Sequence, residues 1–319
     1  MTRNVLVVTH PGRSEAVTAL RETVPALTRH GFTIYATDLS TELSTELGIH
    51  NFTPYQPASH MSINDVEAVM VLGGDGTILR AAELVFGSSV PVLGINLGHV
   101  GFLAESEKED LDLAVARLAA RDYVTEERRV LQVTVHRPGF AQPVIDWALN
   151  EATVEKAEPA RMLEVALSVD ERPLSAFGCD AVIIATATGS TAHAFSAGGP
   201  IVWPDVAAKV VVPVAAHALF ATPLVLGPSA DCTVDVLPES GVGGVLVTDG
   251  RRQTDIPQGS RVTVRTSDTP IVFARLAEAP FADRLVSKFR LPVDGWRNGH
   301  TISRRRSGSG PNEGGSIDA

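Results

Sequence analysis

The segment Gly73-Gly74-Asp75-Gly76-Thr77 places one carboxylate among three glycines, between an apolar run and a helical pattern. Glycines let backbone N–H groups approach a ligand closely, and the N-terminus of the following helix is a favourable seat for phosphate. A phosphate cradle alone has no use for the negative charge of Asp75. The loop therefore predicts a phosphotransferase site in which Asp75 accepts a hydroxyl proton or holds a metal that bridges phosphates. The competing interpretation is a tight turn in which Asp75 only favours the helix N-terminus.

Two further segments could contact a ligand. Residues 186–200 are rich in hydroxyls, glycines and small side chains, which suit backbone pressed against a phosphorylated or polyhydroxylated molecule, or a hydrogen-bonded loop. The pair Asn150-Glu151 could hold a purine edge and ribose hydroxyls, or lie in a solvated turn. Single polar residues that could meet a ligand, each with an ordinary loop or surface role as the alternative, are Asp180, Arg161, Arg251, Arg252 and His10.

The elements that must position these residues change character along the chain. Over residues 1–122, strand and helix signals alternate, which predicts a parallel, Rossmann-like α/β sheet. The predicted strands there are Val5–Val8, Phe32–Ala36, Val66–Leu72 and Val90–Ile95. The predicted helices are one capped by Ser14 and ending near His30, one at Ile78–Phe86, and one at Leu111–Leu118.

After Tyr123 the hydrophobic period shortens from 3.6 to 2, so residues 123–279 are predicted to form a mostly β domain, a layered sheet or sandwich. Asp249-Gly250 is a strong hairpin-turn signal within it. A helix at about 280–298 has an apolar stripe and is expected to return to the first domain. Residues 303–319 lack periodicity and are predicted to be a disordered tail.

Composition excludes several classes of protein. The chain has 319 residues and a net charge of −10, which disfavours nucleic acid and anionic membranes as partners. Its 2 cysteines form neither a metal motif nor a disulfide framework, so no metal site of the protein itself is predicted and a reducing cytoplasm is expected. The charge-free stretch 210–227 contains two prolines and a histidine, so we expect two short strands there rather than a membrane span.

Taken together, these segments resemble the NAD kinase family in its bacterial form, from Val5 to about Trp296. The glycine loop, the stretch Asn-Leu-Gly-His-Val-Gly-Phe-Leu-Ala-Glu at 96–105, Asn150-Glu151 and the 188–200 segment follow the family's order and spacing. The resemblance implies transfer of the γ-phosphoryl group of ATP, or of polyphosphate, to the 2′-hydroxyl of the adenosine ribose of NAD, which makes NADP. It also implies Mg²⁺ carried with ATP, and a homodimer or homotetramer.

The resemblance also implies roles for individual residues. Asp75 matches the family's proton acceptor, and Asp180 matches an acid that reaches the nicotinamide ribose, often across a subunit boundary. The adenosine part would lie against Asn150 and Glu151. The remaining positions that match or fall in the family's binding segments are Gly73, Gly74, Gly76, Thr77, Arg80, Arg161, Thr191, Ala192, His193, Ser196, Ala215 and Arg251.

Arg251 stands where the family commonly has glutamine, and the chain departs from the family pattern at four further positions. His193 stands where tyrosine is usual, Ala187 where proline is usual, Ala181 where glycine is usual, and Gly178 where arginine is frequent. These departures bear on cofactor affinity more than on the reaction. Two other functions remain as alternatives: a lipid kinase of the diacylglycerol type, which carries a similar loop, and a catalytically silent NAD(P)-binding regulator. The acidic charge balance disfavours the lipid kinase.

Overall fold

The computed structural model describes residues 3–10, 12–37, 41–56, 61–98, 101–104, 106–107, 111–219, 221–276 and 280–293. The predicted tail at 303–319, and residues 294–298 of the predicted returning helix, lie outside this part of the chain. Its strands, in chain order, are β1 (Arg3–Thr9), β2 (Phe32–Ala36), β3 (Thr53–Pro54), β4 (Ala68–Leu72), β5 (Val92–Asn96), β6 (Ser106–Glu107), β7 (Val124–Arg128), β8 (Leu131–His136), β9 (Val144–Ala148), β10 (Glu151–Lys156), β11 (Leu163–Val169), β12 (Arg172–Cys179), β13 (Ala181–Thr186), β14 (Lys209–Val214), β15 (Leu224–Leu226), β16 (Cys232–Val236), β17 (Gly244–Thr248), β18 (Arg252–Ile256), β19 (Arg261–Thr266) and β20 (Ile271–Arg275). Its helices are α1 (Ser14–Arg29), α2 (Thr41–Glu46), α3 (Asp75–Val85), α4 (Leu111–Ala120), α5 (His193–Ser196) and α6 (Phe281–Phe289).

In the first sheet, the glycine loop follows the carboxyl end of the central strand β4. Its strands lie in the order β3-β2-β1-β4-β5-β20-β7, with β6 also paired to β5. The described pairings are parallel apart from that of β20 with β7. Since neighbouring parallel strands end at the same edge, the loops after β1, β4 and β5 lie side by side, where ligands of α/β sheets bind. The predicted α/β fold class of this part is confirmed.

Apolar side chains hold helices on both faces of this sheet. Strand β4 is buried along its whole length, as its continuous apolar sequence predicts. On one face, α1 and α4 pack through side chains that include Leu20, Leu27 and Leu118. On the other face, α3 packs through Ile78, Ala82 and Val85. This packing fixes the axis of α3, and with it the position of its first residue, Asp75.

The second part of the chain consists of two six-stranded sheets. One has the order β15-β14-β13-β10-β17-β18, and the other has the order β12-β11-β16-β19-β8-β9. A single apolar core joins them, with Val154 and Val182 from the first sheet and Val133 and Val234 from the second. Buried and less buried residues alternate along β8 and β16, as the period of 2 predicts. The mostly β class of this part is confirmed.

The local sequence predicts the Asp249-Gly250 turn correctly and the N-cap of α1 incorrectly. Asp249 and Gly250 have φ of 51° and 64°, so they form the predicted hairpin turn between β17 and β18. The predicted cap at Ser14 is wrong, because Arg13 occupies the N-cap position and Ser14 is already helical. The stretch 210–227 contributes to the two short strands β14 and β15, as expected. No helix in the described ranges is long and apolar enough to cross a membrane.

Several contacts connect the two parts of the chain. Strands β7 and β20 lie beyond residue 122 in sequence but pair within the first sheet. The boundary between the two domains at residue 122 stays a prediction. Phe86, after α3, stacks on Trp147 of β9 with ring centroids 4.2 Å apart. Glu83 of α3 forms an ion pair with Arg252 of β18 at 2.8 Å. The helix that begins at Asp75 is therefore attached directly to the β-rich part.

Candidate active site

The glycine loop turns from β4 into α3 within two residues. Gly74 is the N-cap residue and Asp75 begins the helix. A Cβ at Gly73 would lie 2.6 Å from the Thr77 hydroxyl oxygen, so the loop can pack on the first helical turn only with glycine there. The first N–H groups of a helix have no intrahelical acceptor, and together with the helix dipole they favour a bound anion.

The Asp75 carboxylate is held by the backbone of a neighbouring loop. Its Oδ2 accepts a hydrogen bond from the Phe102 N–H at 3.0 Å, and its Oδ1 accepts one from the Leu103 N–H at 3.1 Å. A Cβ at Gly101 would lie 2.3 Å from Oδ1, so this loop approaches the carboxylate closely. Because a carboxylate has about four lone-pair sites, each oxygen can still accept a bond from a substrate hydroxyl.

A cavity of about 760 Å³ opens at this edge of the sheet. Its lining includes the glycine loop with Asp75, and Asn96 at the end of β5. The other titratable side chains that line it are His10 after β1, Arg13 at the N-cap of α1, Glu15 in the first turn of α1, and Lys288 of α6. The sequence did identify His10 as a candidate, whereas Arg13 and Lys288 carry no motif that would have marked them.

The backbone of residues 149–151, called the Asn150-Glu151 shelf below, is held in place by Asp249. The Asp249 carboxylate accepts hydrogen bonds from three consecutive N–H groups, those of Leu149 at 2.9 Å, Asn150 at 2.6 Å and Glu151 at 3.3 Å. This role of Asp249 was missed from the sequence, because the hairpin turn already accounts for an aspartate at that position. The shelf places the predicted pair at the start of β10.

Glu151 has a buried carboxyl group that can accept further hydrogen bonds. Only 6% of the residue is exposed, and its Oε2 has no hydrogen-bond partner within the described structure. Burial raises the pKa of Glu151 to about 7, with the nearby negative charge of Asp249 adding to the rise and the His193 N–H opposing it. A buried acceptor without a partner costs free energy unless a ligand or water completes its hydrogen bonds. Glu151 is therefore suited to bind hydroxyl groups of a substrate.

The 186–196 segment lies directly on this shelf. Thr186 Oγ1 donates a hydrogen bond to the Leu149 carbonyl at 2.6 Å. A short 3₁₀ turn at Thr188–Thr191 follows, and a Cβ at Gly189 would lie only 2.0 Å from the Asn150 carbonyl oxygen. Only glycine permits that approach. The structure thus brings Thr191, Ala192 and His193 next to Asn150 and Glu151, with Ser196 closing the short α5 that follows.

Aromatic contacts connect the Asp75 loop to this second group. Phe102, which binds Asp75 through its N–H, lies 5.8 Å from Phe289 of α6 by ring centroids. Phe289 in turn lies 4.6 Å from Phe195 of α5. The helix predicted to return to the first domain therefore contacts both parts of the chain. Phe289 thus lies against both the loop that holds Asp75 and α5.

Asp180, Arg161 and Arg251 each form an ion pair outside these two groups. Asp180 forms an ion pair with Lys156 at 2.6 Å, and its N–H donates to the Val214 carbonyl beside Ala215. Arg161 is 62% exposed and pairs with Glu158 at 3.7 Å. Arg251 pairs with Glu83 at 2.9 Å. Among the described contacts, none joins Asp180, Arg161 or Ala215 to Asp75 or Glu151. Arg80 is half-buried on α3, three residues after Thr77 of the cavity lining.

Comparison with known proteins decides the family. The model of the ATP-NAD kinase N-terminal domain matches residues 5–123, and that of the ATP-NAD kinase C-terminal domain matches residues 149–276. The chain belongs to the ATP-NAD kinase family. It is an enzyme that phosphorylates NAD. The resemblance inferred from the glycine loop and the later segments is confirmed, and the lipid kinase alternative is wrong.

Individual relatives agree with this family. A NAD kinase of Thermobifida fusca is 51% identical over 300 residues, which cover 92% of this chain and 91% of the relative. A NAD kinase of Leifsonia xyli is 50% identical over 303 residues, covering 92% and 97%. Among solved structures, yeast NADH kinase complexed with NADH has a TM-score of 0.80 at 20% identity, covering 95% of this chain and 90% of its own. An Archaeoglobus fulgidus NAD kinase in complex with ATP has a TM-score of 0.67 at 27% identity, covering 90% and 98%.

The comparisons support NAD and ATP as the substrates. Within the described residues, no cluster of three or more His, Cys, Asp or Glu side chains could hold a metal ion.

Proposed function

We propose that this ATP-NAD kinase transfers the γ-phosphoryl group of ATP to the 2′-hydroxyl of the adenosine ribose of NAD, with Asp75 as the proton acceptor. The observation that carries the proposal is the setting of Asp75. Asp75 is the first residue of α3 and lines a cavity of about 760 Å³. Its carboxylate accepts hydrogen bonds from the N–H groups of Phe102 and Leu103. A fixed carboxylate is suited to take the hydroxyl proton as the bond to phosphorus forms.

The donor would occupy the cavity at the glycine loop. Phosphoryl transfer needs in-line positioning and stabilisation of charge more than covalent help. Loop N–H groups at Gly74 and Gly76 would hold phosphate oxygens, since the Gly73 N–H already donates to the Ile95 carbonyl and the Thr77 N–H to the Gly74 carbonyl. Arg13 and Lys288 would offset the negative charge of the triphosphate. The loop has no lysine of its own, so side chains from α1 and α6 supply the charge. Mg²⁺ would enter bound to ATP.

The acceptor would bind on the shelf formed by Asn150 and Glu151. The Asn150 amide would meet the adenine edge, and the Glu151 carboxylate would accept hydrogen bonds from ribose hydroxyls. The unpartnered Oε2 of Glu151 supports this assignment. Thr191, Ala192, His193 and Ser196 would line the rest of the pocket. The roles proposed for Arg80, Arg161, Asp180, Ala215 and Arg251 rest on the family resemblance alone.

We also propose that the enzyme is a homodimer or homotetramer in the cytoplasm. The family resemblance supports an oligomer, because it matches Asp180 to an acid that often reaches the nicotinamide ribose across a subunit boundary. Exposed apolar side chains at the edge strands β12 and β15, Leu174 and Val225, are suited to an interface. The two free cysteines are buried, which agrees with a reducing compartment.

One assay tests the proposed reaction. Purified protein is incubated with NAD, Mg²⁺ and either ATP or polyphosphate, and NADP is measured with an NADP-specific dehydrogenase. We expect NADP to form with ATP. Calorimetry with NAD provides the second readout, because a catalytically silent NAD-binding regulator would bind NAD and make no NADP with any donor. That pair of results would refute the proposal.

A further inference from the structure

The Asp249 carboxylate occupies an unusual position for a hairpin-turn residue. It is 5% exposed, has a φ of 51°, and accepts the three consecutive N–H groups of residues 149–151. A turn of this type needs only a residue that tolerates positive φ, and asparagine or glycine would serve as well. The buried negative charge therefore has no explanation in the turn itself. It does explain why the backbone of Asn150 and Glu151 is fixed, 99 residues away in sequence.

A second set of contacts fixes the hairpin that carries Asp249. Arg252 lies 3.6 Å from Asp249, 3.1 Å from Asp146 and 2.8 Å from Glu83 of α3. Its guanidinium also lies over the Trp147 ring, 4.8 Å from the centroid. Arg251 shares Glu83 at 2.9 Å. A continuous network thus runs from α3, which begins at Asp75, through the hairpin to the Asn150-Glu151 shelf.

We infer that Asp249 is a positioning residue for NAD: its carboxylate holds the backbone of Asn150 and Glu151 in the geometry that binds the substrate. The inference rests on the proposed function, since it assumes that the shelf binds the adenosine ribose. Asp249 acts through the backbone of the shelf and touches no substrate. Arg252 and Glu83 support it by anchoring the hairpin to the helix of the proton acceptor.

The geometry has a consequence for pH dependence. The ionisable groups that bear on Glu151 are the Asp249 carboxylate, with Arg252 and Asp146 behind it, and His193, whose N–H donates to Glu151. Burial is the main cause of the Glu151 pKa of about 7, and the negative charge of Asp249 raises it further. Below that pH, Glu151 is protonated and accepts ribose hydroxyls less well, so kcat/KM for NAD decreases on the acid side. Removing the charge of Asp249 lowers the Glu151 pKa and moves this acid limb to lower pH.

The test compares Asp249→Asn with Asp255→Asn, a matched control. The control replaces the same type of side chain on the same hairpin, because Asp255 lies at an exposed position in β18. For Asp249→Asn we expect KM for NAD to rise roughly tenfold, as for the loss of charged hydrogen bonds, with KM for ATP changed less than twofold. The acid limb of kcat/KM for NAD should move to lower pH, because a nearby like charge that raises the Glu151 pKa has been removed. Asp255→Asn should match the unmodified enzyme in all three quantities.

Other outcomes overturn the inference. A KM for NAD and an acid limb that match the control would show that Asp249 serves the turn alone. A parallel loss of active enzyme at unchanged KM and unchanged pH profile would do the same. If Asp249→Asn does not fold, the same kinetics are measured for Glu83→Gln, which removes an ion pair that anchors the hairpin through Arg252. A raised KM for NAD at constant KM for ATP supports the inference. Constant values of both KM refute it. The proposed function fails separately, through an unmodified enzyme that makes no NADP.

Discussion

Replacing Gly101 by alanine tests the position of the proton acceptor without altering Asp75. The new Cβ would lie 2.3 Å from Asp75 Oδ1 and 2.9 Å from its carboxyl carbon. An ordinary carbon–oxygen contact is about 3.3 Å, so the carboxylate must retreat by about 1 Å. A misplacement of about 1 Å at a reacting group costs roughly 10²-fold in rate. We therefore expect Gly101→Ala to lower kcat about 10²-fold, while the Kd for NAD stays within about twofold, because the Asn150-Glu151 shelf is untouched.

The assay is steady-state NADP formation, together with calorimetry of NAD binding. Gly227→Ala is the control, since a Cβ there meets no atom within 4 Å. It should retain the kcat and NAD affinity of the unmodified enzyme. A Gly101→Ala enzyme with normal kcat would refute the reasoning, because it would mean that the rate does not depend on where the Asp75 carboxylate lies. A lost NAD affinity with normal kcat at saturation would refute it as well.

Two further predictions concern charge. Lys288→Met should raise KM for ATP roughly tenfold and leave KM for NAD unchanged, since Lys288 lines the donor cavity, and steady-state kinetics with each substrate varied decides this. Glu67 accepts hydrogen bonds from Arg3 at 2.6 Å and 2.9 Å, and the Arg3 pair lowers the pKa of Glu67 to about 2. A lowered folded-state pKa stabilises the fold fully above the unfolded pKa of 4.5, and this stability is lost as pH falls towards 2. Glu67→Gln should therefore lower the free energy of unfolding by about 2 kcal/mol at pH 7, with the difference from the unmodified protein vanishing near pH 2 in urea titrations.

The sequence predicted those parts of the site that depend on neighbours along the chain. The glycine loop, the strand before it and the helix after it are adjacent in sequence, so their residue types alone indicate a turn that can hold phosphate. The change of hydrophobic period at Tyr123 likewise predicted a mostly β second part. The Asp249-Gly250 turn was predicted because two consecutive residues with positive φ favour that pair.

Contacts between distant segments were not predictable in this way. The bonds from Phe102 and Leu103 to Asp75 join residues 27 and 28 positions apart, and no periodic pattern encodes them. Asp249 was explained by its turn, so its bonds to the Asn150-Glu151 shelf left no signal of their own. Strand β20 pairs within the first sheet although it follows the whole β-rich segment, because pairing depends on the position of the sheet edge in space. Lys288 lines the cavity only because α6 packs against both parts.

The central claim is that Asp75 removes the proton from the hydroxyl that receives the phosphoryl group. Asp75→Asn keeps the shape of the side chain and removes its basicity, so single-turnover NADP formation at saturating NAD and ATP isolates the chemical step. We expect this variant to bind NAD with nearly normal Kd and to form NADP roughly 10²–10⁴-fold more slowly, the range for a lost general base. A variant that forms NADP at a near-normal rate would contradict the account.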